Sequence, residues 1–191
     1  MKTLTHLMLA VAFLMSAGQA GAQTPYHLKS KKITVAGTSS LHDWESEVTQ
    51  AEWSGLLTME DGRLTEVANV RVKIPVASIK SDNGRIMDNK TYGAFNSEKH
   101  PIITYQMLGA TVGANVINAR GTLSMAGAAK VVSFNVGTRV LSNGDVQLTG
   151  AYTLNMRDYK MEPPTAVMGT IKVGEEVTVN FDLVLAPGKG L

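Results

Sequence analysis

The residues with catalytic potential gather in one short run, Ser39-Ser40-Leu41-His42-Asp43. A hydroxyl, an imidazole and a carboxylate are the parts of a nucleophilic triad. Their order does not assemble one, because adjacent side chains on an extended chain point to opposite faces and Asp43 cannot orient His42. Gly37 to Leu41 also fails the G-x-S-x-G elbow, since Leu41 stands where the second glycine belongs. The run reads instead as a hydroxyl-rich turn ahead of Trp44. Glu45 and Glu47 share a strand face at a spacing of roughly 7 Å, within the broad range of paired glycosidase carboxylates. Such carboxylates come from different elements flanking a sugar, and alternation with Trp44, Ser46 and Val48 marks a solvated face. His27, His42 and His100 lack ligand-like spacing, and there is no Cys, so no structural zinc site is indicated. Neither a phosphate loop nor a dinucleotide fingerprint is present. The reading is of a protein that is not an enzyme and carries no cofactor.

What the chain does offer is large and adaptable apolar side chains. Trp44, Trp53, Tyr92, Phe95, Tyr105, Phe134, Tyr152 and Phe181 are rings able to line a cavity or to fill a dry core. Ten Met, among them Met87, Met107, Met125, Met156, Met161 and Met168, suit either an irregular core or a site that accepts an imprecisely shaped chain. Hydrophobic residues make up 44% and charged residues 18%, and the formal net charge is +2. A nearly neutral chain without clustered Lys and Arg is not built for nucleic acid.

The first residues bear on location. Lys2, an apolar run from Leu7 to Met15 and a closing Ala20-Gly21-Ala22 form the three regions of a secretory signal. The apolar run is shorter than the roughly 20 residues that span a bilayer, so no transmembrane span is expected after cleavage. Residues 1–22 are therefore expected to be removed after Ala22, leaving residues 23–191 as one secreted or periplasmic domain. No Cys follows the cleavage site to accept a lipid anchor.

The elements that must position the rings are strands. Ala68, Val70, Val72, Ile74 and Val76 share one parity and Asn69, Arg71 and Lys73 the other, the pattern of a half-buried strand. Val132, Phe134, Val136, Thr138 and Val140 repeat it, as do Val146, Leu148, Tyr152, Leu154 and Met156, and then Val177, Val179, Phe181, Leu183 and Leu185. Asp61-Gly62 and Asn143-Gly144 favour tight hairpins, while Asn83-Gly84 precedes a segment, about Arg85 to Asn96, that reads as a short helix or as a loop with one helical turn. In it Ile86, Met87, Tyr92 and Phe95 could share a face. About eight strands are expected, near 31–37, 42–55, 66–79, 102–109, 115–125, 130–141, 145–156 and 171–186, each with the usual boundary error. Long successive antiparallel strands with one helical segment point to an all-β, closed, lipocalin-like barrel. About eight strands enclose either one elongated ligand or a plug of side chains, and periodicity leaves both interiors open.

Gly37-Thr38-Ser39-Ser40-Leu41-His42-Asp43-Trp44, Ser78-Ile79-Lys80-Ser81 leading to His100-Pro101-Ile102-Ile103-Thr104-Tyr105, and Gly121-Thr122-Leu123-Ser124-Met125-Ala126-Gly127 fit one pattern. With Leu154-Asn155-Met156-Arg157-Asp158-Tyr159 and Ile171-Lys172-Val173-Gly174, their order resembles the YceI-like family over about Tyr26 to Leu185. The resemblance implies a barrel that encloses a polyisoprenoid or quinone-like lipid, with a head group near the mouth, for transport or storage. Arg85-Ile86-Met87-Asp88-Asn89 and Ile33-Thr34-Val35-Ala36-Gly37-Thr38-Ser39 differ from the family's usual residues, which implies a rebuilt loop and mouth. The inward residues expected to line the cavity are Val35, Trp44, Val48, Val70, Val72, Ile103, Tyr105, Phe134, Leu148, Tyr152, Val179 and Phe181, with Met87, Tyr92 and Phe95 at the opening. The expected partner is a long-chain isoprenoid lipid; a homodimer is admitted, and no protein partner is identified. The alternative is a non-enzymatic periplasmic interaction module with a side-chain-filled barrel.

Overall fold

Residues that alternate apolar and polar with period two can bury one face only if the strands meet edge to edge around a common interior. The computed structural model describes residues 22–82, 84–166 and 169–188. Its strands are β1 (Gln23–Ser39), β2 (Trp44–Val48), β3 (Glu52–Glu60), β4 (Arg63–Pro75), β5 (Ile79–Ser81), β6 (Ile102–Val112), β7 (Val116–Met125), β8 (Ala128–Val140), β9 (Val146–Asn155), β10 (Thr165–Ala166) and β11 (Ile171–Pro187). One helix, α1 (Arg85–Phe95), lies between β5 and β6.

Eight of the strands close a barrel. The antiparallel ladder runs β1, β3, β4, β6, β7, β8, β9, β11, and β11 returns to β1 through pairs such as Ile33 with Phe181 and Val35 with Val179. Closure gives each wall strand two neighbours and removes the open edges that invite aggregation. The expected strand at 42–55 is two strands, because Thr49–Ala51 breaks it. Ser78, in a 3-10 turn at Val76–Ser78, stitches this break: its carbonyl accepts from Thr49 N–H at 2.8 Å and its hydroxyl donates to Gln50 O at 3.0 Å. β2 thereby leaves β3 and pairs with Thr34–Gly37 of β1 on one side and with β5 on the other.

Bulges explain where the expected strand limits fall short. Leu28 opposes Leu185 and Ser30 opposes Val184, so Lys29 is an extra residue that switches the inward parity of β1 from Tyr26 and Leu28 to Ile33 and Val35. The alternation is legible only from residue 31, although the strand begins at Gln23. In β4 the register jumps between Ala68 and Arg71, with Asn69 at φ 55°. Val67 and Val70 both face the interior, so Ala68 does not share the inward parity expected of it. A similar jump at Leu108 hides the last residues of β6.

The helical alternative holds at 85–96: α1 is an 11-residue helix, and its C-cap Asn96 adopts the left-handed conformation, donating to Gly93 O and Tyr92 O. Buried Asp88 ties it to the wall by accepting from Ser81 N–H at 2.8 Å and pairing with Lys80 at 3.3 Å. Asp61 and Gly62, both at positive φ, make the β3–β4 hairpin, and Ala126-Gly127 turns β7 into β8 in the same way. Met168, Asn83 and the expected signal segment through Gly21 lie outside the described residues.

By register, the β3–β4, β6–β7 and β8–β9 hairpins lie at one end of the tube, here the floor. Trp44, α1, the β7–β8 hairpin and residues 156–166 and 169–173 lie at the other, the helical end. Buried Tyr26, Leu64, Val146 and Leu185 plug the floor, where the Tyr26 hydroxyl donates to Gly144 O and Lys29 pairs with Asp145 at 2.6 Å.

Candidate ligand cavity

Every wall strand turns apolar side chains inward, and they do not meet in the middle. A cavity of about 270 Å³ runs from Trp53, Leu57 and Val136 near the floor to Met87, Lys90 and Phe95 beneath α1. Of the expected lining residues, Val35, Trp44, Val48, Val70, Val72, Ile103, Tyr105, Phe134, Leu148, Tyr152, Val179 and Phe181 all border it, as do Met87 and Phe95 at the helical end.

Tyr92 does not. Its hydroxyl accepts from Lys80 Nζ and donates to Ala77 O at 3.0 Å, so this ring fastens α1 to the outside of the wall rather than guarding an opening. Ile86 is likewise exposed, at 76%. The helical face turned to the cavity is instead Met87, Lys90, Thr91, Ala94 and Phe95. The period of 3.6 admits either face for Tyr92, and the pull of Lys80 and the Ala77 carbonyl decides it.

Four glycines keep the lumen open. Gly37, Gly55, Gly121 and Gly150 each lie under a ring: a Cβ at Gly37 would come 2.6 Å from the Trp44 indole, one at Gly55 2.7 Å from Trp53, and one at Gly150 2.5 Å from Phe181, while one at Gly121 would overlap Tyr105. Without a side chain beneath it, each ring packs over its glycine against the wall. The sequence signal was available, since each of these glycines falls on the inward parity of its strand, but the ring that covers it comes from another position in the ladder or chain. Phe134 then meets the ring of Tyr152 on adjacent β9 and, across the lumen wall, those of Tyr105 on β6 and Phe181 on β11, with centroids 5.4, 5.6 and 6.3 Å away.

Polar groups in the interior are few and electrically quiet. Burial raises the Tyr105 hydroxyl above the usual phenol range. Burial, followed by Tyr152 and Asp158 alongside, pushes Tyr159 up to about 12. Both phenols are therefore neutral at physiological pH. Among the described residues Lys90 is the only lining residue with a full charge, and it stands at the exposed helical end. Such an interior suits an apolar guest.

The serine and histidine run stays at the surface as a turn. The Ser39 hydroxyl donates to His42 O at 2.7 Å and accepts from the N–H groups of Leu41 and His42. His42 Nδ1 lies 2.7 Å from the carbonyl of Asp43, not its carboxylate. Ser39, Leu41 and His42 border a smaller recess of about 170 Å³ beside the helical end. Glu45 and Glu47 are exposed, with Ser46 and Val48 buried between and after them. Among the described residues no group of three or more His, Cys, Asp or Glu is placed to hold a metal, and no helix is long and apolar enough to cross a membrane.

Comparison with known proteins follows the same lines. The family described as the YceI-like domain matches residues 26–185. Among solved structures, BcnA of Burkholderia cenocepacia is similar with 17% identity and a TM-score of 0.64, over 81% of this chain and 95% of that one. A polyisoprenoid binding domain from Saccharophagus degradans, implicated in plant cell wall breakdown, gives 14% identity and 0.63 over 85% and 98%. The YceI protein of Campylobacter jejuni gives 18% and 0.57 over 74% and 86%. No curated protein sequence matches the chain.

Proposed function

The chain belongs to the YceI-like family, and we propose that its barrel encloses one long-chain polyisoprenoid or quinone-like lipid, for transport or storage. The observation that carries this reading is the continuous apolar lumen, lined from every wall strand and open enough to leave about 270 Å³ free. That volume is close to the lower end of the roughly 300–1,000 Å³ found for small-molecule sites. Met87, Met107, Met125, Met156 and Met161 border it, and their flexible thioethers let a flexible chain find room. Each methylene taken from water contributes about 0.8 kcal/mol, so affinity needs no charged anchor. The likeness in fold to the Saccharophagus degradans polyisoprenoid binding domain supports the choice of ligand class.

The work is done outside the cytoplasm in this proposal, with residues 1–22 removed after Ala22 and residues 23–191 acting as a periplasmic carrier. The test is mass spectrometry of the organic extract from protein purified from its own periplasm without detergent. An isoprenoid in stoichiometric amount supports the carrier. A folded protein with an empty extract sinks it and returns the reading to an interaction module.

A further inference from the structure

The lumen is not the whole of the open space at the helical end. The smaller recess of about 170 Å³ shares Trp44, Met87, Lys90, Pro164 and Val173 with it, so the two spaces meet across one set of side chains. Leu41 and His42 from the β1–β2 turn and Ile171 from β11 complete the outer rim. Among the described residues no carboxylate borders the recess, and its one full charge is the cation of Lys90.

Two apolar side chains stand out at this opening. Leu41 is 66% exposed and Ile86 76%, the highest values of any large hydrophobic side chain among the described residues. Ile86 lies one turn before Lys90 on α1 and next to Met87, so it flanks the recess that Leu41 borders from the β1–β2 turn. A single exposed leucine needs no explanation. A pair set at the mouth of an apolar lumen does. Leu41 is also held out by its own turn. The Ser39 hydroxyl accepts from Leu41 and His42 N–H at 3.2 Å, Ser40 N–H donates to Lys172 O at 2.9 Å, and the Ser40 hydroxyl accepts from Lys172 N–H at 3.0 Å. With these donors bonded within the protein, the tip can enter an apolar medium without stranding them.

We propose that this opening is a docking face for a phospholipid bilayer. Leu41 and Ile86 enter the boundary between head groups and acyl chains, Lys90 meets lipid phosphate, and the recess is the passage by which a lipid crosses from bilayer to lumen. This rests on the carrier reading and adds where the cargo is exchanged. The occupant is a bilayer because the space behind the two apolar tips continues into the lumen, and because the ionisable side chains around it are basic or neutral, as phosphate head groups require.

The test floats the full mature protein with vesicles of phosphatidylethanolamine and phosphatidylglycerol, or of phosphatidylcholine alone, and follows loading with ubiquinone carried in the vesicles or diluted from ethanol. Trp44 and Trp53, the only tryptophans, line the lumen, so quenching of their fluorescence by the quinone reports loading. Leu41→Ser combined with Ile86→Ser changes two side chains that do not border the lumen. The expected result is flotation about tenfold weaker than wild type, as for loss of two partly inserted aliphatic side chains. Loading from vesicles should slow to a similar degree, with the melting temperature and the amount loaded from ethanol unchanged. Wild type should float better with the anionic vesicles. Leu108→Ser with Val131→Ser removes apolar surface of similar exposure on β6 and β8 and should change nothing. Equal losses in the two double variants overturn the docking face, as does a wild type that loads from ethanol but does not float; both leave the carrier standing. No loading from either source overturns the carrier, and the passage with it.

Discussion

At the floor of the barrel Leu185 and Val146 are 0% exposed and Leu57 1%, packed among Tyr26, Leu64 and Leu183. At the helical end the buried cluster mixes Met125, Met156 and Met161 with Leu154, Tyr159 and Val177, and Trp44 and Phe95 are only partly buried against it. Branched aliphatics have few rotamers and hold one packing, whereas unbranched thioethers can rearrange with little strain. The floor is also latched by polar groups within the barrel wall, Tyr26 to Gly144 and Lys29 to Asp145, while α1 is fastened from outside by Asp88 and by Tyr92. On the carrier reading proposed above, the difference is a division of labour: one end supplies stability, and the other a closure that gives way to a guest.

The comparison breaks if the two ends respond alike to truncation. Leu185→Ala at the floor should cost about 2–5 kcal/mol in urea unfolding, as buried leucines do, whereas Met87→Ala at the helical end should cost about 1 kcal/mol or less and should instead speed dissociation of bound lipid. Equal losses of stability at both positions would remove the division. Between the ends, Phe134→Asp puts a carboxylate among the rings, and the organic extract of the folded variant should then contain no lipid. Undiminished lipid would take Phe134 out of the lining.

Smaller changes sharpen it. Asp88→Ala cuts the tie from α1 to Ser81 and Lys80. The expected loss is about 1–3 kcal/mol, the range for a buried charge-assisted hydrogen bond, with faster amide exchange in 85–95 than in the floor hairpins. Acid should act on the floor. The hydrogen bond from Lys29, helped by Asn143, holds the Asp145 carboxyl below the usual carboxylate range. Its folded value is lower than its unfolded value near 4, so the stabilisation is present above that pH and is lost as pH falls through the folded value. Arg157 lowers Glu175 in the same direction, but that carboxylate is 46% exposed at the helical end and its pair is screened. Asp145→Asn should therefore flatten the acid limb of the stability curve more than Glu175→Gln does. Least of all, Ala126→Gly should raise stability by about 0.5–1 kcal/mol, since Ala126 holds φ 49° in the β7–β8 turn.

Much of this molecule was legible in advance. Val132, Phe134, Val136 and the run from Val177 to Leu185 alternate without a break, and those strands point the way their pattern says. Legibility stopped at Lys29, Asn69 and Leu108, where one extra residue reverses which parity is inward; of the three only Asn69, a type that accepts positive φ, gives any sign of the change. The expected lining positions on strands follow from parity, which is why they border the lumen. Tyr92 sits on a helix, whose broad face allowed a choice that Lys80 and the Ala77 carbonyl made.

By itself the sequence determined the strands, their apolar faces, the absence of an assembled triad in 39–43 and the family pattern, because period and turn chemistry act between near neighbours. The tertiary structure alone decided that β11 closes on β1, that the lumen is left open, that rings lie over Gly37, Gly121 and Gly150, and that the Tyr105 hydroxyl is packed against the wall at Gly121. Those are properties of register across strands distant in sequence, and register is set by the whole ring of pairings when the barrel closes.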